Sequence, residues 1–77
     1  SGGWERMLEV EFPPELLAKV PQDKREALRG VLANDPRPSY QKDPDRVYGL
    51  PFGGLEVRFT VSGQVLTVQS VEAAQSE

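Results

Sequence analysis

Apolar and polar positions change period several times along the chain, and each change marks an element. Met7 to Phe12 alternates, with Leu8, Val10 and Phe12 on one side and Glu9 and Glu11 on the other, which predicts a strand half buried against a core. Pro13-Pro14 gives no N–H to a sheet ladder but suits the first turn of a helix. A short helix is therefore expected over residues 15–20, with Leu16, Leu17 and Val20 as its apolar stripe and Glu15 near its positive end. Pro21-Gln22 breaks it. Asp23 stands where it can cap a second helix, with Glu26 reaching back as in a capping box. Ala27, Leu28, Val31 and Leu32 recur at helical spacing on one face, and Lys24, Arg25, Glu26 and Arg29 point outward. Gly30 weakens such a helix by about 1 kcal/mol relative to Ala, so close packing is expected against it. The helix should run to about Ala33 or Asn34.

Residues 34–45, NDPRPSYQKDPD, break every period: three prolines and three aspartates make a polar, irregular connection. It is long for a compact domain, and such loops tend to carry function. Three strands follow. Residues 46–52 offer Tyr48, Leu50 and Phe52 to one side, with Pro51 marking an edge strand or bulge. Gly53-Gly54 signals a tight hairpin, and Leu55, Val57, Phe59 and Val61 alternate with Glu56, Arg58 and Thr60. After a Ser62-Gly63 turn, residues 65–71 form the last strand, with Leu66 and Val68 as its core pair. The expected fold is α+β, in the order β-α-α-β-β-β, with a mainly antiparallel sheet packed on two helices. One domain spans residues 6–73. Residues 1–5 read as a linker or expression remnant and 74–77 as a disordered tail. The absence of a starting Met suggests a piece of a longer chain, and Trp4 suits an anchor where a preceding domain attaches.

A 77-residue chain buries only about 60% of its unfolded surface, which leaves little for an enclosed cavity. It has no Cys and no His, so disulfides, thiolate metal sites and the usual neutral-pH base are all missing. No metal site is expected, and no catalytic residue is assigned. Asp43-Pro44-Asp45 reads as a turn, since two aspartates alone make a poor cation site. No apolar run is long enough for a membrane helix and no signal-peptide pattern is present, which makes a cytoplasmic protein the expectation. The formal net charge of −3 argues against free-standing affinity for nucleic acid. Its distribution changes that picture. Residues 24–46 carry six cations, Lys24, Arg25, Arg29, Arg37, Lys42 and Arg46, against four carboxylates, for +2; the remainder carries three against eight, for −5. A polyanion would be met on the second helix and the loop after it.

Within that loop Asp35-Pro36-Arg37-Pro38-Ser39-Tyr40 sets a carboxylate, a guanidinium and a phenol on a backbone stiffened by two prolines. Arg can grip a phosphate with a bidentate fork, Asp can accept from an amine or hydroxyl, and Tyr can stack on a base. The structural alternative is that Asp35 ends the helix, Arg37 pairs with it, and Tyr40 packs on the edge of the core.

The run from Ala27 to Glu72, ALRGVLANDPRPSYQKDPDRVYGLPFGGLEVRFTVSGQVLTVQSVE, resembles the C-terminal domain of the tRNA methyltransferase O family, also called TsaA-like or YaeB-like proteins. There a helix ending VLA-x-DPRP-x-Y leads into a three-stranded finish; here the match is VLANDPRPSY. Gln41 stands where many relatives carry Arg or Lys, and Lys42 follows one position later. The resemblance implies a domain appended to an S-adenosylmethionine-dependent enzyme that methylates the N6 amine of threonylcarbamoyladenosine beside the tRNA anticodon. It implies that the cofactor sits in an N-terminal β-barrel domain absent from this chain, that this domain is not active alone, and that the parent can be a homodimer. The partners implied are the tRNA anticodon region and that barrel. Carried over by position, Asp35, Pro36, Arg37, Pro38, Tyr40 and Lys42 are the tRNA-binding candidates. Arg37 and Lys42 would contact phosphate or the substrate's carboxylate, Tyr40 would stack or order the loop, and Asp35 would orient Arg37. Arg37→Ala should then cost activity and leave the melting temperature almost unchanged.

The order of elements and the strand LEVRFTV also resemble the RelE/ParE toxins, small ribosome-dependent ribonucleases or gyrase inhibitors. Those ribonucleases are generally basic and use side chains in and around their C-terminal strands, where this chain offers chiefly Arg58 and no His. A purely structural module presenting the outward face of the meander to a neighbouring domain is the third reading.

Overall fold

A strand that alternates apolar and polar residues has one face to bury, and this chain buries all of its strands on the same side. The computed structural model describes residues 7–40 and 42–74; residues 1–6, with the expected linker and Trp4, Gln41 and residues 75–77 lie outside the described residues. Its elements are β1 (Glu9–Glu11), α1 (Pro14–Leu17), α2 (Gln22–Ala33), β2 (Tyr48–Phe52), β3 (Leu55–Ser62) and β4 (Val65–Ala73), in the expected order. One sheet holds all four strands in the spatial order β1-β4-β3-β2. β1 runs parallel to β4, Val10 opposite Leu66, and the other two pairs are antiparallel. The proline-bearing β2 is an edge strand, as Pro51 requires. Gly53 and Gly54, at φ 56° and 81°, close the β2–β3 hairpin in the left-handed geometry that matches strand twist.

The core lies between the sheet and the two helices. Val57, Phe59 and Val61 from β3 and Leu66, Val68 and Val71 from β4 meet Val20, Leu28 and Leu32 from the helical side, all essentially inaccessible. Burying each such side chain is worth about 1.5–3 kcal/mol. Glu9 and Glu11 point to solvent, as their alternation predicts.

Several expectations need correction. Val71 belongs to the core because Arg58 faces Ser70 while Phe59 faces Val68, leaving Gln69 as an extra residue on β4. That bulge shifts the parity of the strand, so positions three apart both point inward. α1 is one turn, and residues 18–20 continue it only through tightening bonds such as Val20 N–H to Leu17 O, 3.0 Å. Asp23 does not cap α2. Pro21 takes the cap position without a side-chain cap, its carbonyl accepting from Lys24 N–H at 2.9 Å, and Asp23 falls in the first turn, where its charge faces the positive end of the helix. The apolar face of α2 is narrower than its periodicity suggests: Ala27 and Val31 are exposed. Arg25 is half buried in their stead, its Nε donating to Val20 O at 2.9 Å and tying α2 to the end of α1. Ala73 is part of β4, and Ala74 N–H donates to Gly54 O at 2.9 Å, so the ordered chain continues past the expected tail boundary.

Gly30 is exposed with open space where a Cβ would stand, so nothing packs against it. Gly30→Ala should therefore stabilise the fold by about 1 kcal/mol and raise Tm by about 4–8 °C in thermal unfolding. An unchanged or lower Tm would show that the position tolerates no side chain.

Candidate nucleic-acid interface

The long loop begins where α2 must stop. Leu8 N–H donates to Ala33 O at 2.7 Å, which pins the end of α2 beside the entrance to β1. Asn34 is the C-cap, and Asp35 then turns left-handed at φ 60°, its N–H donating to Leu32 O at 3.1 Å. Asp is one of the few residues with a Cβ that visits this region readily. β1 lies at one edge of the sheet and β2 at the other, so the chain has to cross the end of the sheet between them.

That crossing is held by a polar network seated on the core. Arg37 donates from Nε to Asp35 Oδ1 at 2.7 Å and from Nη2 to Oδ2 at 2.8 Å, a bidentate pair whose side chains are 10% and 18% exposed. Lys42 Nζ lies 3.6 Å from Asp35 Oδ2 and is about half exposed. Further along, Tyr48 is buried, its ring stacked on Phe59 at 5.6 Å, and its hydroxyl accepts from Asp43 N–H at 2.9 Å. The Arg46 guanidinium sits 5.7 Å over the Tyr48 ring. Asp43-Pro44-Asp45 is the turn that was expected: Asp45 N–H donates to Asp43 Oδ1 at 2.9 Å and Arg46 N–H to Asp43 O at 3.2 Å. Among the described residues no three carboxylates or other ligating side chains gather to hold a metal ion.

The structure thus brings Asp35, Arg37 and Lys42 together and leaves Tyr40 outside the Asp35–Arg37 pair. Tyr40 is 82% exposed and does not pack on the core edge. It lines an open hollow of about 440 Å³ with Lys42, Asp43, Pro44 and Arg46. Pro36 is half buried and Pro38 exposed. Arg46 is the residue that motif reasoning misses. It lies outside DPRPSY, and the charge count of residues 24–46 is the one signal that includes it. Arg58 takes no part: it lies on the outer sheet face, 3.6 Å from Glu56.

Arg37 is turned inward, so its removal should touch stability as well as any contact. Its hydrogen bonds hold the Asp35 carboxyl below the ordinary carboxylate range, against the opposing effect of burial. The Asp35 carboxylate in turn raises Arg37, with a smaller contribution from the Tyr48 hydroxyl. A depressed folded-state value means that the pair stabilises fully above the unfolded Asp value of about 4 and loses this contribution as pH falls through the folded value. Asp35→Asn keeps a residue suited to φ 60° and deletes the charge. It should cost about 1–3 kcal/mol at neutral pH. In urea unfolding, its deficit relative to the native chain should shrink as the pH drops below about 4. A deficit independent of pH would show that the ion pair does not stabilise the loop.

Residues 5–74 match the family model described as the TrmO C-terminal domain. A tRNA (adenine(37)-N6)-methyltransferase from Eikenella corrodens is 33% identical over 69 residues, covering 88% of this chain and 39% of the relative. The chain therefore spans about two fifths of the length of that relative. Among solved structures, TrmO from P. aeruginosa is similar with a TM-score of 0.65 at 21% identity, over 88% of this chain and 34% of that one. A mutant of the E. coli toxin RelE in the free state matches with the same TM-score at 20% identity, over 90% of this chain and 85% of the toxin. At these identities the structures share a fold, and the α+β arrangement found here is RelE-like. With 70 consecutive residues inside the family model, the chain belongs to the TrmO C-terminal domain family.

Proposed function

We propose that this chain is the substrate-recognition domain of a cytoplasmic tRNA (adenine-N6) methyltransferase, and that residues 34–46 face the tRNA near its anticodon. One observation carries the reading: a loop clamped by a nine-tenths-buried Arg37 on Asp35 leaves Tyr40 and Lys42 projecting from a fixed base. A pre-ordered loop loses little entropy on binding. In this arrangement Tyr40 stacks on an unpaired base, Lys42 and Arg46 meet phosphates, and Asp35, Arg37 and the flanking Pro36 and Pro38 are positioning residues. The charge distribution supports this orientation. The outer sheet face carries Glu9, Glu11, Glu56 and Glu72 against Arg58, which is already near Glu56, so a polyanion is repelled there and approaches from the loop end.

Methylation itself is assigned to the remainder of the longer enzyme, where S-adenosylmethionine supplies the methyl group. The two hollows beside the loop are open and lined largely by charged and polar side chains, among them Asp35, Arg37, Lys42, Asp43 and Arg46, a lining suited to a polyanion and not to an adenine ring. The RelE likeness is one of fold. The family match and the acidic net charge favour the domain reading over a toxin.

In the longer enzyme, Tyr40→Ala should lower kcat/KM for tRNA by about tenfold or more, the worth of one stacked base, with Tm unchanged. Lys42→Ala should flatten the plot of log affinity against log salt by somewhat less than about one unit. Arg37→Ala should lower both activity and Tm. Wild-type activity in the Tyr40 and Lys42 variants would overturn the reading, as would an NMR titration with anticodon stem-loop RNA that moves no resonance of residues 34–46 at low salt.

A further inference from the structure

A second hollow, of about 340 Å³, shares Lys42 with the first and is lined by Leu8, Asp35, Arg37, Lys42, Gly63 and Gln64. Three segments distant in sequence build it: the start of β1, the clamped loop, and the β3–β4 turn. Their placement is fixed. Leu8 N–H is bonded to Ala33 O and Glu9 N–H to Gln64 O, both at 2.7 Å, so the turn and the loop are held against the same stretch of backbone.

The charge inside this hollow is set by three groups. The Asp35 carboxylate is shared between Arg37 at 2.7 Å and Lys42 at 3.6 Å, so two cations face one anion and a single positive charge is left over. Lys42, about half exposed, is the member with access to solvent. Gln64, which lines the same hollow, is exposed, and its backbone carbonyl accepts from Glu9 N–H. Its side-chain amide is thus not needed for the turn. Gly63, at φ 63°, has open space where a Cβ would stand, so an incoming group can approach the backbone closely there.

One surplus positive charge, an amide donor in the lining, a bare glycine next to it in sequence and an open mouth suit a singly charged oxyanion carried on a polymer. We infer that this hollow seats one phosphodiester of the RNA backbone, gripped by Lys42 Nζ from the loop and the Gln64 side-chain amide from the β3–β4 turn. The inference rests on the tRNA-facing reading of the loop and adds to it a second element, the turn, with a role of its own. Lys42 then stands between two subsites, a base on the Tyr40 side and a phosphate on the Gln64 side. Contacts of the second kind carry no sequence information and set the register of the strand.

The test is a salt series with the 77-residue chain and unmodified anticodon stem-loop RNA, which lacks the carbamoyl-threonine carboxylate. Gln64→Ala should weaken binding by about tenfold, the scale of a hydrogen bond to a charged group, and leave the salt slope unchanged. Gln64→Lys should tighten binding and steepen the slope by about one phosphate contact, a gain that misfolding cannot imitate. Gln69→Lys adds the same charge to the exposed outer part of β4 and should do neither. If both Gln64 variants bind like the native chain while Lys42→Ala still weakens binding, the hollow is not a phosphate site and the loop reading stands. An equal gain from Gln69→Lys would likewise overturn it, as would a Gln64 effect confined to RNA carrying the carbamoyl-threonine. No binding by the native chain at low salt overturns both readings.

Discussion

The strand order imposes a crossing, and the site is a consequence of that crossing. α2 is pinned beside β1 at one edge of the sheet by the bond from Leu8 to Ala33, and the next strand in sequence, β2, lies at the opposite edge. Three strand spacings amount to about 14 Å, which about five extended residues would span. The loop is more than twice that long. The surplus forms the projecting turn that carries Tyr40 and Lys42, so topology demands a connection here and its extra length makes an exposed apex.

The polar network ties the two ends of the loop to the core. Tyr48 belongs to both worlds: its ring stacks on Phe59 within the apolar cluster and its hydroxyl receives the Asp43 N–H of the loop. At the other end Asp35 accepts a left-handed backbone and in return holds Arg37 with two short hydrogen bonds. The described residues leave no buried side-chain polar atom without a partner. Within it the inward Arg37 and Asp35 match each other, and removing one would strand the other in a poorly solvated place.

The same pairing decides where an acidic domain presents positive charge. Net charge is a property of the whole surface, whereas phosphate is met locally. Here carboxylates crowd the outer sheet face, and Asp35 neutralises the inward Arg37 while leaving Lys42 and Arg46 exposed. Arg37 looks like the strongest phosphate ligand of the motif, but its fork is already occupied by a carboxylate. The less conspicuous lysine is the one with access.

Local pattern was enough to place the elements, the edge position of β2, the Gly53-Gly54 hairpin and the loop as the segment of interest, because strand alternation, proline and glycine act through their immediate neighbours. The family was legible for the same reason, since VLANDPRPSY is a contiguous run. The bulge at Gln69 was not, because it exists only in the register between β3 and β4 and leaves no mark on β4 alone. Nor was the cap of α2, where Asp23 fits the local rule and Pro21 takes the position. Within the site, sequence named Asp35, Arg37, Tyr40 and Lys42 but left open which of them faces solvent. Only the tertiary structure settled that, by burying Arg37 against Asp35, leaving Tyr40 in solvent and bringing Gln64 from a distant turn to a hollow with Asp35, Arg37 and Lys42. Such choices depend on what lies across from a residue in space, and no period along the chain encodes that.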